Sequence, residues 1–276
     1  MPFGYSRYLE KQGYKEVTVQ EHAKQLELFF KHVDYIHETV PELYEIKPSD
    51  LKSYIQFKKS QQLKPGTINK IISILKRFFD YCWEERLIAA DPAEKLRYIQ
   101  DSKQPISADG FDEIQQIIDD AVQDEEMSLK RKCILVLAGE GLRPDEFAVT
   151  VDQIITEEQL VRLYVSKSGH ERIITMDGLR AQVIKQQLRD QLSKERQYLI
   201  SSVNRSTGEE PLQRMTISVH LRKAAEAAGL DSLTTNQIRR AYAVHLLDNQ
   251  GWSYEEAAEK LGIDKLSVMK LVDSVS

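Results

Sequence analysis

Apolar residues recur at helical spacing along almost the whole chain, and only residues 160–176 alternate with the period of a strand. Those two periods predict a mainly α fold with one small β region. In that region Val161, Leu163 and Val165 alternate, Ser168-Gly169 supplies a turn and Ile173-Ile174 returns. The pattern predicts a hairpin with Lys167 near its tip. The most regular helical run, Ile68 to Leu87, sets Ile68, Ile71, Ile72, Leu75, Phe78, Phe79 and Cys82 at helical spacing.

At 276 residues the chain has room for two ordinary domains. The first reads as four helices: one capped by Thr18, one starting at Ser49 or Asp50, one following the Pro65-Gly66-Thr67 turn, and a short piece from Asp91-Pro92. Residues 99–107 are mostly polar around Pro105, and a fresh helix start is expected from Ser107 to Glu113. The expected domains are therefore 1–100 and 106–276. In the second, a hydrophobic helix over Lys132 to Ala138 is expected to break at Gly139-Glu140-Gly141, and another to begin near Pro144. Further helices are expected over Thr216 to Ala228 and Thr235 to Asn249, with a last one starting near Ser253.

Charge is unevenly placed. The whole chain carries -5, but residues 1–100 hold 16 Lys/Arg against 14 Asp/Glu, and residues 101–276 hold 22 against 29. Within 51–79 lie Lys52, Lys58, Lys59, Lys64, Lys70, Lys76 and Arg77 and no acid, whereas Asp109 to Glu126 has eight acids and no base. A basic patch can bind phosphates on an acidic molecule, because screening over about 8 Å makes local charge outweigh the sum. The same patch is also readable as a solvated helical face. No stretch approaches the roughly 20 apolar residues that span a bilayer, and Met1 to Glu10 lacks the apolar core of a signal peptide. Cys82 and Cys133 lie in separate hydrophobic helical patterns, which suits buried thiols in a reducing cytoplasm.

Three groups of residues carry candidate chemistry. Arg143 follows a glycine break and has Glu146 three residues on to hold it; Lys167 sits near a hairpin tip; Asn236, Arg239 and Arg240 lie in the first turns of a helix. Singly, each has an ordinary structural reading: a salt bridge at a helix start, a turn residue, surface charges. No cluster has metal-ligand spacing, and no glycine-rich loop of a recognised phosphate-binding kind is present.

Taken in order, these segments resemble the tyrosine recombinase (phage integrase) family along most of the chain. GLRPDEF at 141–147 is similar to the family's first arginine box, usually GLR-x-x-E-L, and VSKSGHERIITM at 165–176 to the hairpin with the catalytic lysine. LTTNQIRRAYAVHLL at 233–247 is similar to the second box, normally LTPHDLRHTFATHLL, and LGIDKLSVMKLV at 261–272 lies where the family has LGH and then its tyrosine. The resemblance implies a helical, SAM-like core-binding domain followed by a catalytic-type domain. It also implies that Arg143 and Arg239 hold the non-bridging oxygens of a phosphate, a task suited to the guanidinium fork. Lys167 falls on the lysine that protonates the leaving 5′-hydroxyl.

Four positions depart from the family pattern. Asn236 replaces the usual histidine, Arg240 the histidine after the arginine, Ile263 the late histidine or tryptophan, and Val272 the tyrosine. Asparagine still donates to a phosphate, but valine has no nucleophilic atom. Residues 255–276 contain neither Tyr nor Cys, and nothing marks Ser267, Ser274 or Ser276 as activated. The expectation is a protein that is not an enzyme, binding double-stranded DNA sequence-specifically without strand transfer. Arg143, Lys167, Asn236, Arg239 and Arg240 are the expected phosphate contacts. Lys64, Asn69, Lys70, Ser73, Lys76 and Arg77, together with Gln213, Arg214 and Ser218 near Pro211, are the further candidate DNA contacts.

The role that fits is a transcriptional repressor of a phage or mobile element, similar to the integrase-like repressors of temperate Bacillus phages. Its expected partners are DNA, a second copy on DNA and a phage-encoded regulatory peptide or protein, with no cofactor, metal or membrane. Two rivals stay open: an atypical active recombinase, and an interaction protein that modulates an integrase.

Overall fold

The computed structural model describes residues 2–37, 41–100, 110–167, 169–204, 206 and 208–272. The chain divides into two compact units, Met1–Ser102 and Lys103–Ser276. The expected boundary at Pro105 lies outside the described residues, as do Ser168, Ser274 and Ser276.

The first unit is helical: α1 (Tyr5–Lys11), α2 (Glu16–His37), α3 (Pro48–Ser60) and α4 (Pro65–Glu84). The α4 stripe read from the sequence is buried at every position named for it. Phe79 of the stripe meets Phe29 of α2 edge-on at 5.9 Å, and Phe29 in turn meets Tyr54 of α3 edge-on at 5.4 Å between centroids, the arrangement that ring quadrupoles favour. Two expectations need correction. The second helix begins at Glu16, not at a Thr18 cap: the Thr18 amide already donates to the Lys15 carbonyl inside the first turn. The Asp91-Pro92 piece is a turn, not a helix. Asp91 Oδ1 accepts from the Ala93 amide at 2.7 Å, which closes the chain on itself before a helix can propagate. The fourth helix is instead α1, whose Tyr5 and Leu9 are sealed in the core.

In the second unit α5 (Gly110–Gln123) and α6 (Leu129–Gly139) pack together ahead of a 3-10 turn at Pro144–Phe147. An antiparallel sheet follows in the order β1 (Ile154–Thr156), β2 (Val161–Lys167), β3 (His170–Met176). The β2–β3 register pairs Lys167 with His170, Val165 with Arg172, Leu163 with Ile174 and Val161 with Met176. The last three pairs form the buried face. Next come α7 (Gly178–Ser193), a second hairpin of β4 (Ser201–Asn204) and β5 (Gly208–Pro211), and α8 (Arg214–Ala227). The chain then runs through α9 (Thr235–Val244), a π turn at His245–Asn249, α10 (Tyr254–Leu261) and α11 (Lys265–Val272).

The sequence foresaw one hairpin, and the structure adds β1 and the β4–β5 pair, which are three or four residues long and too short for a period to declare itself. The predicted glycine break is also sharper than expected. Gly139 stays helical, and the chain turns only at Gly141, whose φ of +77° suits glycine. Among the described residues no helix is long and apolar enough to cross a membrane.

Candidate phosphate-binding site

Gly141 ends α6 with its amide donating to the Ala138 carbonyl, and a Cβ there would stand 3.2 Å from Cδ1 of Tyr242 on α9. This close approach places Arg143, in extended backbone, at the head of the 3-10 turn. Glu146 Oε2 accepts from the Arg143 amide at 2.7 Å, and Oε1 accepts from Arg143 Nη2 at 3.0 Å. One carboxylate therefore caps the turn and orients the guanidinium.

Thr234 starts α9 by accepting from the Gln237 amide at 3.2 Å. Asn236 and Arg239 then share a face, three residues apart. Arg239 is 5% exposed. It donates Nη1 to the Gly141 carbonyl and Nη2 to the Leu261 carbonyl at 2.9 Å. Its Nη1 also lies 3.9 Å from Glu146 Oε2. Burial, and then the neighbouring charge of Arg172, lower its pKa to about 10, so it is still a cation at neutral pH.

Arg143, Pro144, Asp145, Arg214, Thr235, Asn236, Arg239, Ile263, Ser267 and Leu271 line one open pocket of about 300 Å³. Of the five expected phosphate contacts, Arg143, Asn236 and Arg239 are gathered there. Lys167 is not among the lining residues: it ends β2, exposed, paired with His170 at the hairpin end. Arg240 is not among the lining residues either. It is 5% exposed, and its Nε and Nη2 have no hydrogen-bond partner among the described residues. One residue along a helix is a turn of about 100°, so the neighbour of Arg239 leaves its face.

Arg214, read from the sequence as a groove contact, joins the pocket instead as its third arginine. Gln213 and Ser218 are exposed beside it, the Ser218 hydroxyl donating to the Arg214 carbonyl at 3.1 Å. Ile263 and Leu271 supply apolar lining, and Val272 packs partly buried at the end of α11 in the small cluster around Leu261 and Val268. The Ser267 hydroxyl donates to Asp264 Oδ2 at 2.8 Å, which ties it to the start of α11.

In the first unit two candidates drop out. The Asn69 amide group donates to the Ile99 carbonyl at 2.8 Å and accepts from its amide at 2.7 Å. Lys76 Nζ donates to the carbonyls of Ala93, Glu94 and Leu96 at 3.0–3.2 Å. Both are used inside the fold. Lys64, Ser73 and Arg77 are exposed, Arg77 lying over the Tyr14 ring at 5.1 Å. Lys70 is exposed with Glu21 at 3.1 Å.

The residue that sequence reasoning missed is Arg172. Ile174 and Met176 point inward, so strand alternation also puts residue 172 on the core face, and a charge at such a position was the available signal. Its Nη2 donates to Glu146 Oε2 at 3.0 Å and its Nη1 to the Lys260 carbonyl at 2.7 Å. Arg143, Arg172 and Arg239 thus converge on one buried carboxylate, leaving positive charge in excess. Such a pocket can hold an anion through charge-assisted hydrogen bonds. Among the described residues no three His, Cys, Asp or Glu side chains gather where a metal ion could sit.

Comparison with known proteins places this geometry. Residues 110–270 match the phage integrase family, and residues 4–86 match the phage integrase N-terminal SAM-like domain. Tyrosine recombinase XerD of Shewanella oneidensis is 23% identical over 255 residues, covering 89% of this chain and 83% of the relative. The XerD of Listeria innocua is 20% identical over 271 residues, covering 96% and 90%. A lambda integrase dimer bound to a COC' core site has a TM-score of 0.71 at 18% identity, covering 98% of this chain and 93% of that one. The Tn1549 transposon integrase in complex with circular intermediate DNA gives 0.69 at 15%, covering 98% and 95%.

These relatives correct the expectation that the chain is no enzyme. They are named tyrosine recombinases, which are enzymes, and the chain spans most of their length. Of the four departures from the family pattern, Asn236 and Ile263 line the pocket, whereas Arg240 and Val272 are not among its lining residues. Matched in both of its units, the chain belongs to the phage integrase family.

Proposed function

We propose that this protein binds double-stranded DNA, seats a backbone phosphate in the pocket lined by Arg143, Arg214, Asn236 and Arg239, and acts as a sequence-specific regulator, a repressor occupying an operator of a phage or mobile element. The observation that carries the DNA-binding reading is the buried excess of positive charge: three guanidinium groups around the Glu146 carboxylate, two of them on the pocket wall. A phosphodiester supplies the missing anion, and its two non-bridging oxygens suit guanidinium donors. Such contacts fix position and carry no sequence information. Base reading then falls to exposed polar residues, with Gln213 at the cap of α8, Ser218 in its first turns, and Ser73 and Arg77 midway along α4 as candidates. The regulatory part rests on the two-unit layout, in which the N-terminal SAM-like match and the integrase match together make a DNA-occupying protein. The named dimer of lambda integrase on its core site supports two copies meeting on DNA. Light scattering with and without duplex checks that pairing.

The test is binding to duplex DNA across a salt series. Arg143→Ala and Arg239→Ala are each expected to weaken binding at every sequence alike and to lower the slope of log K against log salt by about 0.9, one phosphate's share. Unchanged affinity and slope in both variants sink the reading. A suicide duplex belongs in the same experiment. Reversible binding alone, at sites that map to promoters, supports the regulatory role, whereas a covalent adduct assigns strand transfer to the chain and displaces it.

A further inference from the structure

We infer that Arg172, which does not line the pocket, is the positioning residue that sets both phosphate-facing arginines; this rests on the phosphate reading above. Its guanidinium is the meeting point of three separate pieces of chain. From β3 it donates Nη2 to Glu146 Oε2 at 3.0 Å and to the Gly141 carbonyl at 3.3 Å, and Nη1 to the Lys260 carbonyl at 2.7 Å. The first two acceptors are shared: Glu146 also orients Arg143, and the Gly141 carbonyl also receives Arg239. The third lies beside the Leu261 carbonyl, which receives the other end of Arg239. Every group that fixes Arg143 or Arg239 thus touches Arg172 or adjoins a residue that does.

Packing closes the arrangement from the remaining side. A Cβ on Gly262, which has φ +62°, would lie 3.1 Å from Arg172 Cδ and 3.2 Å from Nε. The buried sheet face holds the stem, since Val165 is opposite in the register and Ile174 is the next inward residue. The guanidinium cannot swing away without opening the β3–α10 contact. Its charge also acts on the pocket: with Arg172 present, three guanidinium groups outnumber the Glu146 and Asp145 carboxylates beside them, so the pocket stays positive. Arg172 therefore supplies both geometry and an unsatisfied positive field while remaining out of reach of the phosphate.

A lysine separates these contributions, since it keeps the charge but cannot reach three acceptors in a planar fork. In the full chain, Arg172→Lys is expected to lower affinity for a fluorescein-labelled duplex about tenfold or more, the scale of one displaced charged hydrogen bond. It is also expected to reduce the salt slope by about 0.9, although no phosphate-touching residue has changed. Loss of folded protein alone lowers the active fraction and leaves the slope intact, so the slope is the readout that a merely structural role does not move. Arg172→Lys combined with Arg239→Ala is expected to cost little more than Arg239→Ala alone. Gly262→Ala, which presses on the Arg172 stem from outside, is expected to reproduce the slope change and serves if Arg172→Lys does not fold. Folded Arg172→Lys with an unchanged slope, or effects that add fully with Arg239→Ala, overturn the inference while Arg143→Ala and Arg239→Ala still report the pocket. If those two variants have no effect either, it is the phosphate reading that fails.

Discussion

At Glu146 three guanidinium groups meet one carboxylate whose side chain is 2% exposed. Removing its charge while keeping its shape is the most informative single change in the second unit. Glu146→Gln leaves Arg172 and Arg239 as buried cations without a counter-ion, a situation that costs about 3–5 kcal/mol. Urea denaturation of the variant is expected to show that loss, and a change below 1 kcal/mol would place the compensating charge elsewhere. Arg143 and Arg239 were legible because they sit in short boxes of recognisable spacing, and Glu146 because it follows Arg143 by three residues. Arg172 escaped because a single charge inside a strand pattern passes for a surface residue until the pairing with Val165 fixes which face it takes. Arg240 misled for the opposite reason. It adjoins Arg239 in sequence, and helix geometry parts the two.

Among the elements, α6 shows how a glycine can serve packing and not a bend. Gly139 is helical, and a Cβ on it would lie 2.6 Å from Ile118 Cδ1 on α5. Alanine gains about 1 kcal/mol over glycine in helix propensity, whereas overfilling a close-packed core costs about 1–3 kcal/mol. Ile118 is fully buried and has little room to retreat, so packing wins. Gly139→Ala is expected to destabilise by about 1 kcal/mol in chemical denaturation, and Ile118→Val, which removes the obstructing methyl, to restore part of the loss. A net gain in stability would show that α5 yields. The paired glycines at 139 and 141 read from sequence as one break, because composition does not distinguish a residue needed for close approach from one needed for its φ. The α4 stripe and the β2–β3 hairpin were legible for the converse reason: their periods run long enough to fix both element and face. The start of α2 and the fate of Asp91-Pro92 were not, since capping hydrogen bonds decide them one residue at a time.

On the scale of the whole molecule, an acidic chain of net charge -5 holds its basic groups close to three histidines, and this links folding to pH. Burial, then Arg77 and Lys70, hold His22 below its usual range; burial, then Lys58, does the same to His32. In the second unit His220 is lowered by burial and then by Arg131, Lys130 and Lys223. Each is neutral in the fold and takes up a proton more readily once unfolded. The unfolded state therefore binds more protons between the two values, and stability rises with pH across that window. The contribution is fully present above the ordinary histidine value of 6.5 and is lost as pH falls through the lowered value of the folded state. Both units are expected to melt earlier in acid, each through its own histidines, because their cores are separate clusters. His22→Gln separates the two, since glutamine retains a hydrogen-bonding partner for Tyr5 Oη, now 3.1 Å from His22 Nδ1, but does not titrate. Thermal melts on both sides of the histidine range are expected to show a flatter pH response in the first unit and the original response in the second. An unchanged slope in the first unit would assign its acid sensitivity to groups other than His22.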